Sequence, residues 1–347
     1  FIYKNIMKIN RKELLDTLSI VSPGVSNKEM AIEQATTFAF LKDRVVTYND
    51  EISISHSIEG MEGLEGAIEA KILYPLLERI KEETIELTRN KNSEIVIKAG
   101  KMRSGLLLQK EIDLPIEEEI EDRDAWTLIP ENLIEALSFV VFSAGRGLDS
   151  PILSGIHVSS KGFVEASDGY RMARYALKGD LEVESFVIPA SNISSLIRLP
   201  NITHIAQGIG WIHFKTEEGT EFSSRIFEES YPNATSWLKL DGKRLVLPET
   251  IEEVLNRAVI LSARKTAADE EVLFELEGGK FRVVSECDVA WFEEEVEAEY
   301  EGSGEFSIRI APSFLKDILK RTTLCLIGTN KIKFVGEGWE YVSLLKV

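Results

Sequence analysis

The chain has 347 residues, with 40 Lys and Arg against 58 Asp and Glu for a formal net charge of -18; hydrophobic residues make up 44% and charged residues 28%, ordinary values for a globular protein. That length accommodates two or three domains of about 100–200 residues each, and no apolar run approaches the ~18 residues a membrane-spanning helix needs. The acidic balance excludes a tight, sequence-reading nucleic-acid binder, whose phosphate contacts come from Lys and Arg, but a sum is silent about where the charges sit.

Taken in chain order, residues 1–6 precede Met7 and the phrase MKINRKELL and read as a tag or processed leader, too short and too polar for a signal peptide. A helix is predicted over Asn10–Ile20, where Leu14, Leu15 and Leu18 follow Asn10 as N-cap. Ala70–Lys81 has Ile72, Leu73, Leu76, Leu77 and Ile80 on one face. Pro130–Phe142 opens with Pro and Glu, as first turns prefer, and carries Leu133, Ile134, Leu137 and Val141. Pro189–Leu199 follows with Ile193, Leu196 and Ile197, and Pro248–Ala263 with Ile251, Val254, Leu255, Ala258 and Val259. The last, Pro312–Thr322, has Phe314, Leu315, Ile318 and Leu319. Between the helices, short alternating or apolar runs predict strands, among them Glu94–Lys98, Phe163–Glu165, Phe186–Ile188, Phe281–Ser285 and Lys331–Val335.

The odd-numbered helices start at Asn10, Pro130 and Pro248 and the even-numbered ones at Ala70, Pro189 and Pro312, so both series recur with a period near 120 residues. This is too long for a solenoid unit and predicts three copies of one domain. Local wording agrees: LVLPETIEEVL resembles TLIPENLIEAL, and FSIRIAPSFLKDIL resembles VESFVIPASNISSLI. The domains are expected at 7–122, 123–242 and 243–347, separated by the acidic stretch Glu117–Asp124 and by Leu240–Arg244. The fold class is α+β, each copy being two helices backed by antiparallel sheets.

Cations mark the polar sides of five of the six helices: Arg11 and Lys12; Arg79 and Lys81; Arg198; Arg257, with Arg264 and Lys265 just beyond; and Lys316, Lys320 and Arg321. The third helix has Glu131 and Glu135 and no cation before Arg146 in the following loop. One basic helix face is most often a solvated face, but the shared bias is harder to read that way. The acidic surplus at Glu117–Asp124, Asp269–Glu271 and Glu293–Glu301 reads as linkers, turns and outward strand faces. There is no phosphate-binding glycine loop, HExxH, GxSxG or dinucleotide fingerprint. His56, His157, His204 and His213 are scattered, and His157 and His213 sit in strand-like apolar runs as structural residues. Gly302-Ser303-Gly304 reads as a turn. Cys287 and Cys325 have neither metal-ligand nor disulfide spacing, which fits a reducing cytoplasm. No catalytic residue, metal or cofactor is expected.

Ser167-Asp168-Gly169-Tyr170-Arg171-Met172, within VEASDGYRMARYAL, resembles the A-T-D-G-H-R-L-A segment of the bacterial sliding clamp, the β subunit of DNA polymerase III. SPILSGIHV is similar to the strand before it in that family and FVIPASNISSLIRL to the helix entry after it. SSRIFEESYPN resembles the family's K-L-x-D-x-x-F-P-D, and LNRAVILSARK its A-R-A-A-I-L-S-x-E-K. The matches cover the second and third predicted domains; the first matches in layout and in MKINRKELL, which leaves a bacterial or a phage-encoded member open.

The resemblance implies a head-to-tail homodimer whose two chains form a six-domain ring around duplex DNA, helices lining the hole and sheets forming the wall. The DNA-facing residues would be Arg11, Lys12, Arg79, Lys81, Arg146, Arg198, Arg257, Arg264, Lys265, Lys316, Lys320 and Arg321, contacting backbone without reading sequence. The family's pocket between its second and third domains takes linear motifs from DNA polymerases, the clamp loader and repair proteins. Here it would comprise Leu153, Ser167, Gly169, Tyr170, Arg171, Met172, Tyr231, Pro232, Trp237, Leu344 and Leu345. Met172, Trp237 and Leu345 taken singly read as core. Tyr170 replaces the usual His, and SLLKV stands where the family ends P-M-R-L. The dimer contact would set Ile260 and Leu261 against Arg103, Leu106, Leu107 and Leu108, with Ser104 near a common Phe position. The implied function is a non-enzymatic, cytoplasmic processivity factor with no membrane partner. The competing readings are a monomeric clamp-like peptide-binding adaptor or decoy, and a hydrolase hidden among the carboxylates.

Overall fold

The computed structural model describes residues 6–28, 32, 34–61, 64–90, 93–146, 150–262, 269–302 and 304–346. Among them lie α1 (Arg11–Val21), α2 (Ala70–Arg79), α3 (Leu133–Val140), α4 (Ala190–Leu196), α5 (Ile251–Ser262) and α6 (Pro312–Leu319), one at each predicted place. The start of α1 is set by the Asn10 carboxamide, which accepts the Lys12 and Glu13 amides at 2.9 and 3.3 Å, satisfying two N–H groups that a helix start otherwise orphans. The third helix begins later than Pro130, because the Pro130 carbonyl accepts the Leu133 amide in a turn that precedes it. The five named strand predictions coincide with Glu94–Ala99, Phe163–Ser167, Phe186–Pro189, Lys280–Cys287 and Lys331–Gly336.

The chain divides into two compact, discontinuous units. The first is Phe1–Ile129 with Leu181–Glu228. It holds a four-stranded antiparallel sheet in the order Ile6–Asn10, Thr84–Arg89, Glu94–Ala99 and Met102–Leu107. Its larger sheet runs Gly66–Glu69, Thr37–Leu41, Arg44–Tyr48, Ile52–Ser57, Glu221–Arg225, Trp211–Thr216, Ile202–Gly208 and Thr127–Leu128. The helices α1 and α2 pack together in this unit, burying Leu14, Leu18, Leu73 and Leu77. The larger sheet is continuous between strands far apart in sequence, with Ser53 opposite Ser223.

The second unit is Pro130–Asp180 with Glu229–Val347. Its main sheet passes through Gly155–Ser159, Phe163–Ser167, Arg171–Ala176, Trp339–Leu344, Lys331–Gly336, Leu324–Ile327, Lys243–Val246 and Glu299–Tyr300. A four-stranded sheet orders Ala290–Val296, Lys280–Cys287, Val272–Glu277 and Phe306–Ile310. Within this unit α5 packs on α6, burying Val254, Leu255, Ala258, Phe314, Leu315 and Ile318. The same kind of seam recurs, with Met172 opposite Val342 and Ala173 opposite Tyr341.

The acidic stretch 117–124, expected as a linker or turn, belongs to the first unit: Ile116–Glu121 forms a wide helical turn whose Ile116 and Ile120 are buried with Tyr48 and Trp211. Glu119 accepts the Tyr48 hydroxyl at 2.7 Å and pairs with Arg225, and Glu121 pairs with Arg44. Two isoleucines at i and i+4 are worth about 1.5–3 kcal/mol each when buried, enough to dock the turn while its carboxylates find cations on the sheet.

Candidate protein-binding and DNA-facing sites

Alternation along Arg171–Ala176 sorts its side chains onto two faces. Ala173 lies opposite Tyr341, whose hydroxyl donates to the Phe314 carbonyl on the helix side. Met172, opposite Val342, turns the other way and clusters with Leu238, Ala234 and Trp237. The turn Thr235–Leu238, which follows Ala234 and carries Trp237 and Leu238, is pinned to the sheet through its carbonyls. Lys331 Nζ donates to Trp237 O and Lys239 O at 3.0 and 3.1 Å, and Lys333 Nζ to Leu238 O at 2.6 Å. Arg174 adds a bond to Thr235 Oγ1 at 3.0 Å. The result is a small buried apolar cluster with a half-buried Trp237 packed against it.

The Asp168–Arg171 loop is a built turn. Asp168 Oδ1 accepts the Tyr170 and Arg171 amides, both at 2.9 Å, and Oδ2 accepts Arg171 Nε at 2.9 Å. Ser167 Oγ accepts the Gly169 amide at 3.1 Å and donates to the Arg171 carbonyl at 2.7 Å. Gly169 sits at φ +87°, where a side chain is strained. The turn thus presents Tyr170, 52% exposed, with its ring 6.3 Å from that of Phe314. The Arg171 guanidinium lies over Phe314 at 4.7 Å and Phe142 at 5.7 Å. The Leu344 amide donates to Tyr170 O at 2.9 Å, tying the last strand to this loop.

The structure therefore divides the expected pocket. Trp237 and Met172 come together, Tyr170, Arg171 and Leu344 meet at the loop, and Pro232 and Gly169 are exposed. Met172 itself is 0% exposed, and Ser167 and Leu345 are buried; these three support the surface and do not line it, because inward alternation and the turn's hydrogen bonds consume them. Leu153 is half-buried, its carbonyl accepting the Gly145 amide. Tyr231 stacks on His157 at 5.3 Å, and burial pushes its phenol pKa up. His157 Nδ1 lies 2.9 Å from Glu165, a buried carboxylate that also accepts Arg174 Nε at 2.9 Å. Ala234, Leu238, Val342 and Phe314 pack against these residues and were missed. Only the non-local pairing of Met172 with Val342 points to them.

Of the expected DNA-facing cations, Lys12, Arg79, Lys81, Arg146, Arg198, Lys316, Lys320 and Arg321 are exposed. Arg11 departs from the expectation: its guanidinium donates to the carbonyls of Glu82 and Leu77 at 3.1 and 3.3 Å, tying α1 to the end of α2. Arg257 is also committed, in a two-bond pair with Glu294 at 3.0 and 2.7 Å. Arg321 lies 4.7 Å over the Phe139 ring. Arg264 and Lys265 lie outside the described residues.

For the dimer contact, Arg103 is exposed, Leu261 is half-buried and Ile260 is 75% exposed. Leu106 and Leu108, however, are 8% and 1% exposed, and it is Leu107, at 68%, that faces out. An apolar triplet on a strand must alternate, and the core takes its outer two members. Met102–Leu107 and Ala290–Val296 are each the end strand of their four-stranded sheet, leaving edges able to pair with another chain.

Among the described residues no group of three or more His, Cys, Asp or Glu could hold a metal ion, and no helix is long and apolar enough to cross a membrane. No protein-family model matches the chain. Its sequence is similar to the beta sliding clamp of Rickettsia bellii (strain RML369-C), 22% identical over 343 residues covering 90% of this chain and 89% of the relative. It is 24% identical over 276 residues to the beta sliding clamp of Bacillus subtilis (strain 168), covering 73% and 70% of the two. Its structure matches the DNA polymerase III beta chain of Streptococcus pneumoniae with a TM-score of 0.85 at 19% identity, over 99% of each chain. The fold is that of the bacterial-type sliding clamp, the β subunit of DNA polymerase III.

Proposed function

We propose that this chain is a non-enzymatic DNA polymerase processivity factor: a homodimeric ring of three-domain chains, divided near 7–122, 123–242 and 243–347, that encircles duplex DNA. The observation that carries this reading is the full-length agreement with a bacterial β chain, a TM-score of 0.85 over 99% of each chain. The ring tethers DNA polymerase, the clamp loader and other motif-bearing proteins in the cytoplasm, at the replication fork. Their peptides enter beside Trp237 over the Met172, Leu238 and Val342 floor, and extend toward Tyr170 and Arg171. Apolar and aromatic anchors of this kind carry most of the energy of small interfaces. Exposed Lys12, Arg79, Lys81, Arg146, Arg198, Lys316 and Lys320 supply the phosphate-facing charge. Leu107, exposed on the end strand of its sheet, and Ile260, exposed on α5, close the ring between chains.

The test is retention on DNA. Loaded by its cognate loader onto nicked circular DNA, the protein is expected to stay bound in moderate salt and to leave once the circle is linearised. Equal retention on both forms, or none on the circle, overturns the ring. A monomeric adaptor would keep peptide binding and give a single-chain mass in light scattering.

A further inference from the structure

Within the second unit, α5 and α6 enclose a cavity of about 220 Å³. It is smaller than the ~300–1,000 Å³ of sites for drug-sized ligands and far larger than one water. Its apolar lining includes Leu255, Val259 and Leu319, and its polar lining Glu252, Asn256, Glu270, Ser313 and Lys316. Among the described residues, Glu270 Oε2 and Ser313 Oγ are both buried from solvent without a hydrogen-bond partner. A buried acceptor without a donor is costly, most of all on a carboxylate, so two such atoms lining one cavity call for a donor from outside. The charge arithmetic agrees, because two carboxylates against one lysine leave a single negative charge.

We propose that this cavity binds a primary aliphatic ammonium group. An ammonium carries three donors and accepts nothing, which suits Glu270 Oε2 and Ser313 Oγ together, and its alkyl chain lies along Leu255, Val259 and Leu319. The volume admits a chain of a few methylenes. A free short polyamine and the lysine side chain of a bound protein share this chemistry.

Methyl NMR on the full-length, Leu/Val-labelled protein tests it with three probes: butylamine, 1,4-diaminobutane and Nα-acetyl-lysine methylamide. Saturable shifts are expected at the methyls of Leu255, Val259 and Leu319, and ammonium chloride at equal ionic strength should not produce them. Glu270→Gln, which keeps the shape, should weaken binding at least tenfold and Ser313→Ala severalfold. Glu286→Gln, at an exposed carboxylate, should leave it unchanged. Tighter diaminobutane points to a free polyamine, and tighter acetyl-lysine to a protein side chain. Shifts that fail to saturate, spread over the acidic surface, or survive Glu270→Gln overturn the proposal.

Discussion

His213 is 0% exposed inside the first unit, its Nδ1 2.8 Å from Ser223 Oγ. Burial first, and the nearby Arg123 charge second, push its pKa from 6.5 down to about 3. The folded chain therefore refuses a proton that the unfolded chain accepts below pH 6.5. The resulting stability is fully present above that pH and is lost as pH falls from 6.5 toward 3. At pH 5 the loss is about 2 kcal/mol. Thermal unfolding followed between pH 7 and 5 should show a falling Tm that His213→Gln largely flattens; an equally steep fall in the variant would mean other groups govern it. Trp237 poses the opposite case, a large side chain left half-buried beside a fully buried Met172. Trp237→Ala should weaken a polymerase-derived peptide about tenfold, or ~1.4 kcal/mol, by calorimetric titration, with the dimer mass unchanged.

At the scale of elements, the helices were legible because their information is local: apolar spacing, an Asn10 cap, a Pro at the head of α6. Side-chain direction within short apolar runs was not. Leu106, Leu107 and Leu108 look equivalent in sequence, and only the pairing of Leu106 with Ile95 and of Leu107 with Glu94 separates core from surface. The docking of the Ile116–Glu121 turn was hidden for a related reason, since the carboxylates of 117–124 outnumber the two isoleucines, Ile116 and Ile120, that decide where the turn goes. The DGYR turn was recognised as wording, while the apolar site beside it depends on a strand about 170 residues away. The distinction between neighbours is testable. Leu107→Asp should leave circular dichroism and melting nearly intact and shift the light-scattering mass from two chains to one. Leu106→Asp should unfold the sheet, because a carboxylate at an 8% exposed position has no partner there. If both variants remain dimeric, this edge does not close the ring.

For the whole molecule, the question is how a chain of net charge -18 would hold a polyanion, as the proposed function requires. Much of its acidity is spent internally: Glu119 and Asp50 on Arg225, Glu221 on Arg123, Glu294 on Arg257, and Glu275 and Glu277 on Arg282. Arg11 and Arg257 are likewise committed to carbonyls and a carboxylate, so the cations the proposed ring would offer to DNA are the remaining exposed ones, such as Lys316 and Lys320 on and beside α6. Such contacts are weak and screened, which suits a ring that slides and is retained by topology. Lys320 already sits 3.9 Å from Asp317, so reversing it removes less attraction than reversing Lys316. The double variant Lys316→Glu/Lys320→Glu should lower affinity for short linear duplexes and reduce the magnitude of the log K against log salt slope by about one to two. It should still be retained on circular DNA once loaded. Arg257→Gln should change neither slope nor retention, its charge being already paired with Glu294. If Arg257→Gln moved the slope as far as the double lysine variant, the phosphate-facing surface would lie on the Glu294 side of α5 and not on α6.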